Sequence, residues 1–224
     1  MTHAREQILA NLARSLGRGP LPPERVAELD RRISAHPANT IPGRSQVPAA
    51  AQVDLFERMA DAAAATVARV RANDEVPDEV ARYLGEEGLL AEIVVGPADE
   101  LSAIPWDDEK GLQVRRGRAG REGEVAVTGA FAAIAETGTL MLLSGSDRPT
   151  GNVFLPETHI VVLGMDQVVG PLEAAWDKLR ADGGGNAMPR TVNLVTGPSR
   201  TGDIEAVMYM GAHGPRRLHI VLVG

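Results

Sequence analysis

Cysteine is absent from the 224-residue sequence. The chain therefore cannot form a disulfide, ligate an iron–sulfur cluster through thiolates or attack a substrate with a thiol. Basic residues are fewer than acidic ones: the chain has 23 Lys and Arg and 30 Asp and Glu, which give a formal net charge of −7. A general binding surface for nucleic acid or for an anionic membrane needs the opposite balance, so we expect neither partner.

Long apolar runs are missing as well. No stretch of about 18 apolar residues occurs, so no membrane span is predicted. Residues 1–17 mix charged and apolar positions, which is unlike the continuous apolar core of a signal peptide. These features predict a cytoplasmic protein.

Several common catalytic motifs do not occur. The sequence has no phosphate-binding G-x-x-x-x-G-K-[ST], no G-x-G-x-x-G after a strand and no zinc-binding H-E-x-x-H. Gly197, Pro198 and Ser199 begin like a nucleophile elbow, but Thr201 stands where its second glycine would be. The five histidines are scattered, and their spacing predicts no metal site.

Helical patterns dominate as far as Gly88. Apolar residues at positions 8, 9, 12 and 16 share one face of a first predicted helix, and a second begins at Pro23. Residues 36–48 contain three prolines and read as a linker. We therefore predict an N-terminal helical extension with linker at 1–48, which packs either on a partner or on its own domain. Further helices are predicted at 53–71 and 77–85.

Beyond Gly88 the apolar residues fall into short runs of strand length. Continuous apolar runs are typical of strands that are covered on both faces. The runs lie at residues 91–95, 112–114, 125–127, 140–143, 160–163, 192–195 and 218–223. With a helix predicted at 171–181, this order indicates an α/β domain over 49–224: a three-layer fold with a mostly parallel sheet and ligands at the carboxyl ends of its strands.

Residues 193–215 concentrate turn residues and charges between two predicted strands. We predict a strand, a tight loop, a short helix, a second loop and a strand. A loop that opens a helix can bind an anion through free backbone N–H groups, with Ser199 and Thr201 adding hydroxyls and Arg200 a guanidinium. Asp203 would oppose an anion, and the alternative is that Ser199 or Thr201 only caps the helix.

Two further residues, Glu136 and His213, are candidates for a catalytic role. Glu136 stands at the entrance of the run at 140–143, where it is either a catalytic carboxylate or a solvated, salt-bridged residue. His213 lies between Gly211 and Gly214 in a tight loop. It suits general acid or base catalysis near neutral pH, or it stabilises the turn by a hydrogen bond.

Four motifs in order resemble those of the LUD-domain family. They are A-E-T-G-T-L at 135–140, L-P-E-T-H-I at 155–160, G-P-S-R-T-G-D-I-E at 197–205 and G-A-H-G-P-R-R-L-H at 211–219, and the resemblance covers residues 89–224. It implies a fold similar to the ribose-phosphate isomerase and coenzyme A transferase group. For the lactate-utilization members it also implies action with two partner subunits that oxidise L-lactate to pyruvate and carry iron–sulfur clusters. This chain, without cysteine, would be the cluster-free subunit and hold no cofactor itself.

The motifs also define a set of predicted site residues for a small ligand that carries a carboxylate or a phosphate. Glu136 and His213 are the predicted catalytic residues. The predicted binding residues are Thr137, Gly138, Thr139, Arg148, His159, Gly197, Ser199, Arg200, Thr201 and Asp203.

Two other functions stay open. One is a free-standing enzyme or binder of the isomerase or transferase type, which acts on a phosphorylated or coenzyme A ligand with Glu136 as nucleophile by analogy. The other is a structural partner whose motif loops form an interface.

Overall fold

The structure is a computed structural model that describes residues 2–17, 19–106, 111–120, 123–183, 188–204 and 207–224. The chain divides into two compact units, Met1–Thr40 and Ile41–Gly224. The boundary that the sequence predicts after residue 48 stays a prediction.

The first unit consists of two helices, α1 (Thr2–Ser15) and α2 (Pro23–Ala35). Both were predicted from periodicity, and the N-terminal helices are confirmed. Helix α2 begins with Pro23 at its first position, where a proline loses no hydrogen bond. The apolar face of α1 is open to solvent, with exposed fractions of 60% for Ile8, 52% for Leu9 and 53% for Leu12.

The second unit combines helices with many short strands. Its helices are α3 (Ala49–Ala62), α4 (Val76–Glu86), α5 (Asp99–Ser102), α6 (Gly151–Phe154) and α7 (Leu172–Asp182). Its strands are β1 (Thr66–Val70), β2 (Glu92–Val95), β3 (Gln113–Arg116), β4 (Val125–Gly129), β5 (Ala132–Ile134), β6 (Thr139–Leu143), β7 (Thr158–Gly164), β8 (Val168–Val169), β9 (Val192–Thr196), β10 (Arg200–Ile204), β11 (Val207–Met210) and β12 (Arg217–Val223).

A parallel six-stranded sheet in the order β1-β12-β7-β4-β2-β3 forms the centre of this unit. Every pair of neighbours in it is parallel. Strands β7 and β12 are adjacent interior strands of this sheet and are buried along almost their whole length. Their continuous apolar sequences fit this position, since both faces are covered. The predicted mostly parallel sheet is confirmed.

A second sheet, in the order β8-β5-β6-β9, was not predicted as separate. Strand β6 pairs antiparallel with both β5 and β9, so the runs at 140–143 and 192–195 lie outside the parallel sheet. One face of the large sheet packs on α4 and α5. The other face packs on α3 and the second sheet, and α7 covers the far face of that second sheet.

The helix predicted at 53–71 is wrong in its second half. Helix α3 ends at Ala62, Ala64 has a positive φ of 64°, and the chain continues as β1. Alanines favour the helix up to this point. Thr66, Val67 and Val70, which follow, are all β-branched and favour a strand. Strand β1 occupies the edge of the sheet beside β12.

The short helix predicted after Ser199 is also wrong. The chain forms an antiparallel ribbon there, in which Arg200 pairs with Met210 and Thr201 with Tyr209. Residues of high β propensity favour the ribbon over a helix. The predicted anion site at a helix start, and the alternative helix cap, are both excluded at this position.

Two glycines of the motifs lie against the end of α3. Gly138 has a φ of 66°, and a Cβ atom there would lie 2.4 Å from the backbone nitrogen of Ala60. Gly197 has a φ of 69°, and its Cβ would lie 2.1 Å from the carbonyl oxygen of Ala63. Both turns therefore need glycine for conformation and for close approach.

Substitution of these glycines tests this packing. We expect Gly197→Ala to lower the free energy of unfolding by about 2 kcal/mol or more, since the left-handed conformation alone costs about 1–2 kcal/mol and the contact with Ala63 must also yield. The matched control is Gly85→Ala in α4, where no atom lies within 4 Å of the added Cβ. This control should raise the free energy of unfolding by about 0.4–1 kcal/mol. Urea denaturation measures both, and equal effects would contradict the described packing.

Candidate functional site

A cavity of about 250 Å³ lies at the amino ends of β7 and β12. It brings together five of the residues predicted from the sequence: His159, Gly197, Ser199, Arg200 and His213. The other residues that line it are Val153, Phe154, Leu194, Val195, Thr196, Pro198, Gly214, Pro215 and Leu218.

The position of this cavity corrects the predicted carboxyl-end location. His159 and Leu218 are the second residues of β7 and β12, so the cavity lies at the opposite edge of the parallel sheet. The turns are tied to that edge by backbone hydrogen bonds. Ser199 N–H donates to the carbonyl of Pro215 at 2.8 Å, and Arg216 N–H donates to that of Glu157 at 2.8 Å.

His159 is fully buried where it lines the cavity. Its Nε2 lies 2.8 Å from Thr128 Oγ1, while its Nδ1 has no hydrogen-bond partner among the residues that the structure describes. Burial lowers the pKa of His159 to about 3, so the ring is neutral at pH 7. A buried polar atom without a partner costs about 1–3 kcal/mol, so the ring is held here at some expense in stability.

Ser199 links the two loops that flank the cavity. Its Oγ accepts a hydrogen bond from the backbone N–H of His213 at 3.2 Å, and its carbonyl accepts one from Gly211 N–H at 2.9 Å. The hydroxyl hydrogen of Ser199 is therefore available to a ligand. The His213 side chain is exposed at the rim.

Arg200 extends from β10 towards the end of α3. Its guanidinium donates to the carbonyl oxygen of Ala63, a favourable position for a cation because helix carboxyl ends carry partial negative charge. Guanidinium has five N–H groups, so this bond leaves others for a ligand. Thr201 is buried in β10. Asp203 belongs to the same strand, and its side chain lies outside the described part of the structure.

Three threonine hydroxyls form a chain that ends at the cavity. Thr137 Oγ1 lies 2.7 Å from Thr139 Oγ1, which lies 2.7 Å from Thr196 Oγ1. Thr196 lines the cavity but was missed in the sequence, because its only signal is its place before Gly197. Its position opposite Thr139 in the β6–β9 ladder connects the motif at 135–140 with the cavity.

Glu136 does not line this cavity. Its carboxylate accepts a hydrogen bond from Leu172 N–H, at 3.4 Å, at the beginning of α7. A carboxylate is stabilising at a helix amino end, so the contact gives Glu136 a structural function. Its catalytic function stays a prediction.

Arg148 lies in a different place from the other predicted residues. It lines a small cavity of about 30 Å³ near the carboxyl ends of β2 and β4. Its guanidinium lies 3.0 Å from Glu100 and 3.2 Å from Asp147, so its charge is already paired. Ligand binding by Arg148 stays a prediction.

The polarity of the 250 Å³ cavity suits a small anion with an apolar part. None of the described residues that line it is acidic, and Arg200, Ser199 and Thr196 supply donors. The side chains of Val153 and Leu218 form an apolar wall. The volume is below the about 300–1,000 Å³ typical of sites for drug-sized ligands.

A larger groove of about 720 Å³ lies at the amino ends of β2, β3 and β4. It carries three acidic side chains, Glu92, Glu124 and Glu157. Its Arg115 lies 2.5 Å from Glu124, so its charge is paired. An anion is disfavoured there, and none of the predicted site residues lines this groove.

No group of three or more potential metal ligands occurs among the residues that the structure places. Over the same described ranges, no helix is both long and apolar enough to cross a bilayer.

The chain belongs to the LUD domain family, whose family model matches residues 53–223. The resemblance carried by the four motifs is thus confirmed. Lactate utilization protein C of Bacillus subtilis is 30% identical over 128 residues, which cover 57% of this chain and 52% of that protein. Lactate utilization protein C of Geobacillus sp. is 27% identical over 128 residues, which again cover 57% of this chain and 52% of that protein. These alignments therefore span about half the length of these relatives.

Two further relatives match over more of the chain. Uncharacterized protein YkgG of Escherichia coli is 25% identical over 224 residues, 94% of each chain. The crystal structure of a DUF162 family protein from Deinococcus radiodurans is 26% identical, with a TM-score of 0.60 over 80% of this chain and 99% of that chain. This similarity supports the α/β fold described above.

A second buried histidine, His219, lies on the other face of the parallel sheet. Its Nδ1 is 2.8 Å from Thr66 Oγ1, and its Nε2 is 3.1 Å from Glu79 Oε1. The ring stacks on Tyr83 with centroids 4.0 Å apart. Burial lowers the pKa of His219 to about 4, although Glu79 opposes this effect.

The two buried histidines predict acid sensitivity. An unfolded histidine has a pKa of about 6.5, so the unfolded chain takes up protons first as the pH falls. The contribution of each neutral histidine to the free energy of unfolding is therefore fully present above about pH 6.5. As the pH falls, it is lost progressively down to about pH 4 for His219 and about pH 3 for His159. His159→Gln should reduce the slope of unfolding free energy against pH, between pH 5.5 and 4.5, by up to about 1.4 kcal/mol per unit.

Urea denaturation across this pH range measures the slope. His219→Gln should reduce it by a similar amount, because each variant removes one proton uptake. A His159→Gln slope equal to that of the wild type would show that His159 is not kept neutral by burial.

Proposed function

We propose that this protein is the cluster-free subunit of an iron–sulfur-dependent complex that oxidises L-lactate to pyruvate. Its cavity at the amino ends of β7 and β12 binds the carboxylate ligand. Membership of the LUD domain family and the names of its relatives in Bacillus and Geobacillus support the metabolic context. We place the protein in the cytoplasm.

The observation that carries the proposal is the chemistry of the cavity. A 2-hydroxy or 2-oxo acid of three carbons has a carboxylate at one end and a methyl group at the other. Arg200 and Ser199 offer charged and neutral donors to the carboxylate, and Val153 and Leu218 offer an apolar contact to the methyl group. His213 at the rim is the candidate acid or base.

The electron balance of the reaction indicates which functions belong to this chain and which belong to its partner subunits. Oxidation of lactate to pyruvate releases two electrons and two protons, so an electron acceptor is required. The chain has no cysteine and cannot supply thiolates to a cluster. We therefore assign the iron–sulfur clusters to two partner subunits, and we assign ligand binding and orientation to this chain.

Growth of the host organism on L-lactate as sole carbon source tests the metabolic assignment. Deletion of the gene should abolish growth, and the wild-type gene should restore it. The Arg69→Gln variant should also restore growth, because Arg69 forms a surface pair with Asp54 at 2.7 Å, away from the cavity. Undiminished growth of the deletion strain, with no second copy of the gene, would contradict the proposal.

Calorimetric titration of the purified protein with L-lactate and pyruvate tests the site. Arg200→Gln should weaken the Kd about tenfold or more, because a hydrogen bond to a charged group contributes about 1.5–3 kcal/mol. Arg69→Gln is the matched arginine control and should leave the Kd unchanged. Tight binding of inorganic phosphate or coenzyme A, without binding of lactate or pyruvate, would instead favour the isomerase or transferase type of function.

The Glu136→Gln variant distinguishes a structural from a catalytic Glu136. Glutamine keeps an oxygen that accepts the Leu172 N–H bond, so a purely structural Glu136 predicts normal folding and normal growth on L-lactate. Loss of growth with wild-type abundance and thermal stability would assign chemistry to the carboxylate.

A further inference from the structure

The cavity at the amino ends of β7 and β12 is larger than a three-carbon acid requires. Lactate and pyruvate each have six non-hydrogen atoms, which occupy about 180 Å³ if each takes the volume of one water molecule in the liquid, about 30 Å³. The cavity has a volume of about 250 Å³. The space left over, about 70 Å³, has room for about two further carbon atoms at the same packing.

The side chains that surround this space are mostly apolar. Val153 and Leu218 are 7% and 3% exposed and belong to the core cluster on the α3 side of the large sheet, against which Val195 also packs. All three residues line the cavity. A hydrocarbon group that displaces water from an apolar wall is stabilising, so the space left over favours additional aliphatic carbons in the ligand.

Phe154 continues the apolar surface towards the mouth of the cavity, where it is 40% exposed. A Cβ atom added to Gly214 would lie 3.8 Å from Phe154 Cδ1 and 3.4 Å from Ser199 Cβ. The ring and the proposed carboxylate site at Ser199 therefore both border Gly214, which has no side chain to fill the space between them. A ligand whose carboxylate lies at Ser199 can extend an aliphatic chain along the Phe154 ring.

The charge of the cavity suits a ligand with one carboxylate. Arg200 is the only Lys or Arg among the described residues that line it, and in the proposed function its guanidinium binds the carboxylate at carbon 1. A second carboxylate at the far end of the ligand would lie against Val153, Leu218 and Phe154. Removing that carboxylate from water without a cation to pair with it is unfavourable.

We propose that the cavity binds unbranched 2-hydroxy and 2-oxo acids of four and five carbons, and binds them more tightly than the three-carbon acids. This inference rests on the proposed function, because it uses the same carboxylate site. Lactate is then the smallest member of the substrate class, and Phe154 is a specificity-determining residue that favours the longer side chains.

Calorimetric titration of the full chain with pyruvate, 2-oxobutyrate and 2-oxovalerate tests the inference. Each added CH₂ group should tighten the Kd by about two- to fourfold, as expected for half to complete burial of that group. 2-Oxoglutarate is the matched charged ligand, since it has the five carbons of 2-oxovalerate with a carboxylate in place of the terminal methyl group. It should bind about tenfold or more weakly than 2-oxovalerate.

Substitution of Phe154 tests the part of the cavity that contacts the longer chains. In the wild type the pyruvate Kd should exceed the 2-oxovalerate Kd by about fourfold or more. Phe154→Ala should bring this ratio close to one, and Phe154→Leu should retain most of it because leucine keeps an apolar contact. Leu155→Ala is the control, since Leu155 is 62% exposed and does not line the cavity, and it should leave the ratio unchanged. Thermal unfolding checks that each variant is folded.

The outcomes separate the inference from the proposed function. If pyruvate binds as tightly as 2-oxovalerate, or if 2-oxoglutarate binds more tightly than 2-oxovalerate, the inference is wrong and the proposed function stands. Binding of 2-oxovalerate without binding of pyruvate would support the inference and contradict a function in lactate oxidation. If none of the four acids binds to the folded protein, both are overturned.

Discussion

The parallel pairing of β7 with β12 is the constraint on which the site depends. The register runs from Arg217 opposite Thr158 to Val223 opposite Gly164, and both strands are covered on both faces. Each fully buried aliphatic side chain contributes about 1.5–3 kcal/mol, so this pairing is strongly held. It brings His159 beside the loop that precedes β12. The cavity therefore exists only when segments that are distant in sequence have paired.

The same sheet buries two histidines and uses them differently. His219 faces α4, and Glu79 of that helix and Thr66 of β1 satisfy both ring nitrogens, so its function is structural. His159 faces the cavity with one nitrogen satisfied by Thr128 and the other without a described partner. Burial keeps both rings neutral. The neighbours, more than the residue type, decide whether both nitrogens of a buried histidine are satisfied.

The sequence predicted the parallel sheet because its central strands are continuous apolar runs, and it predicted five cavity residues because they belong to compact motifs. It could not separate the second sheet, since the run at 140–143 looks the same whether its neighbours are parallel or antiparallel. The start of β1 was missed because the alanines at the end of α3 favour a helix, so the helix was predicted to continue through residues 66–70. Thr128 and Thr196 are single threonines at strand ends, and their contacts with His159 and Thr139 depend on pairing that no local pattern encodes.

The central claim is that a small carboxylate binds to Ser199 and Arg200 in the cavity at the amino ends of β7 and β12. A crystal structure of the protein grown with pyruvate tests it most directly. We predict ligand density in this cavity, with the carboxylate on Arg200 and Ser199 and the methyl group against Val153 and Leu218. Density for pyruvate only in the groove beside Arg115, or in the small cavity beside Arg148, would contradict the account.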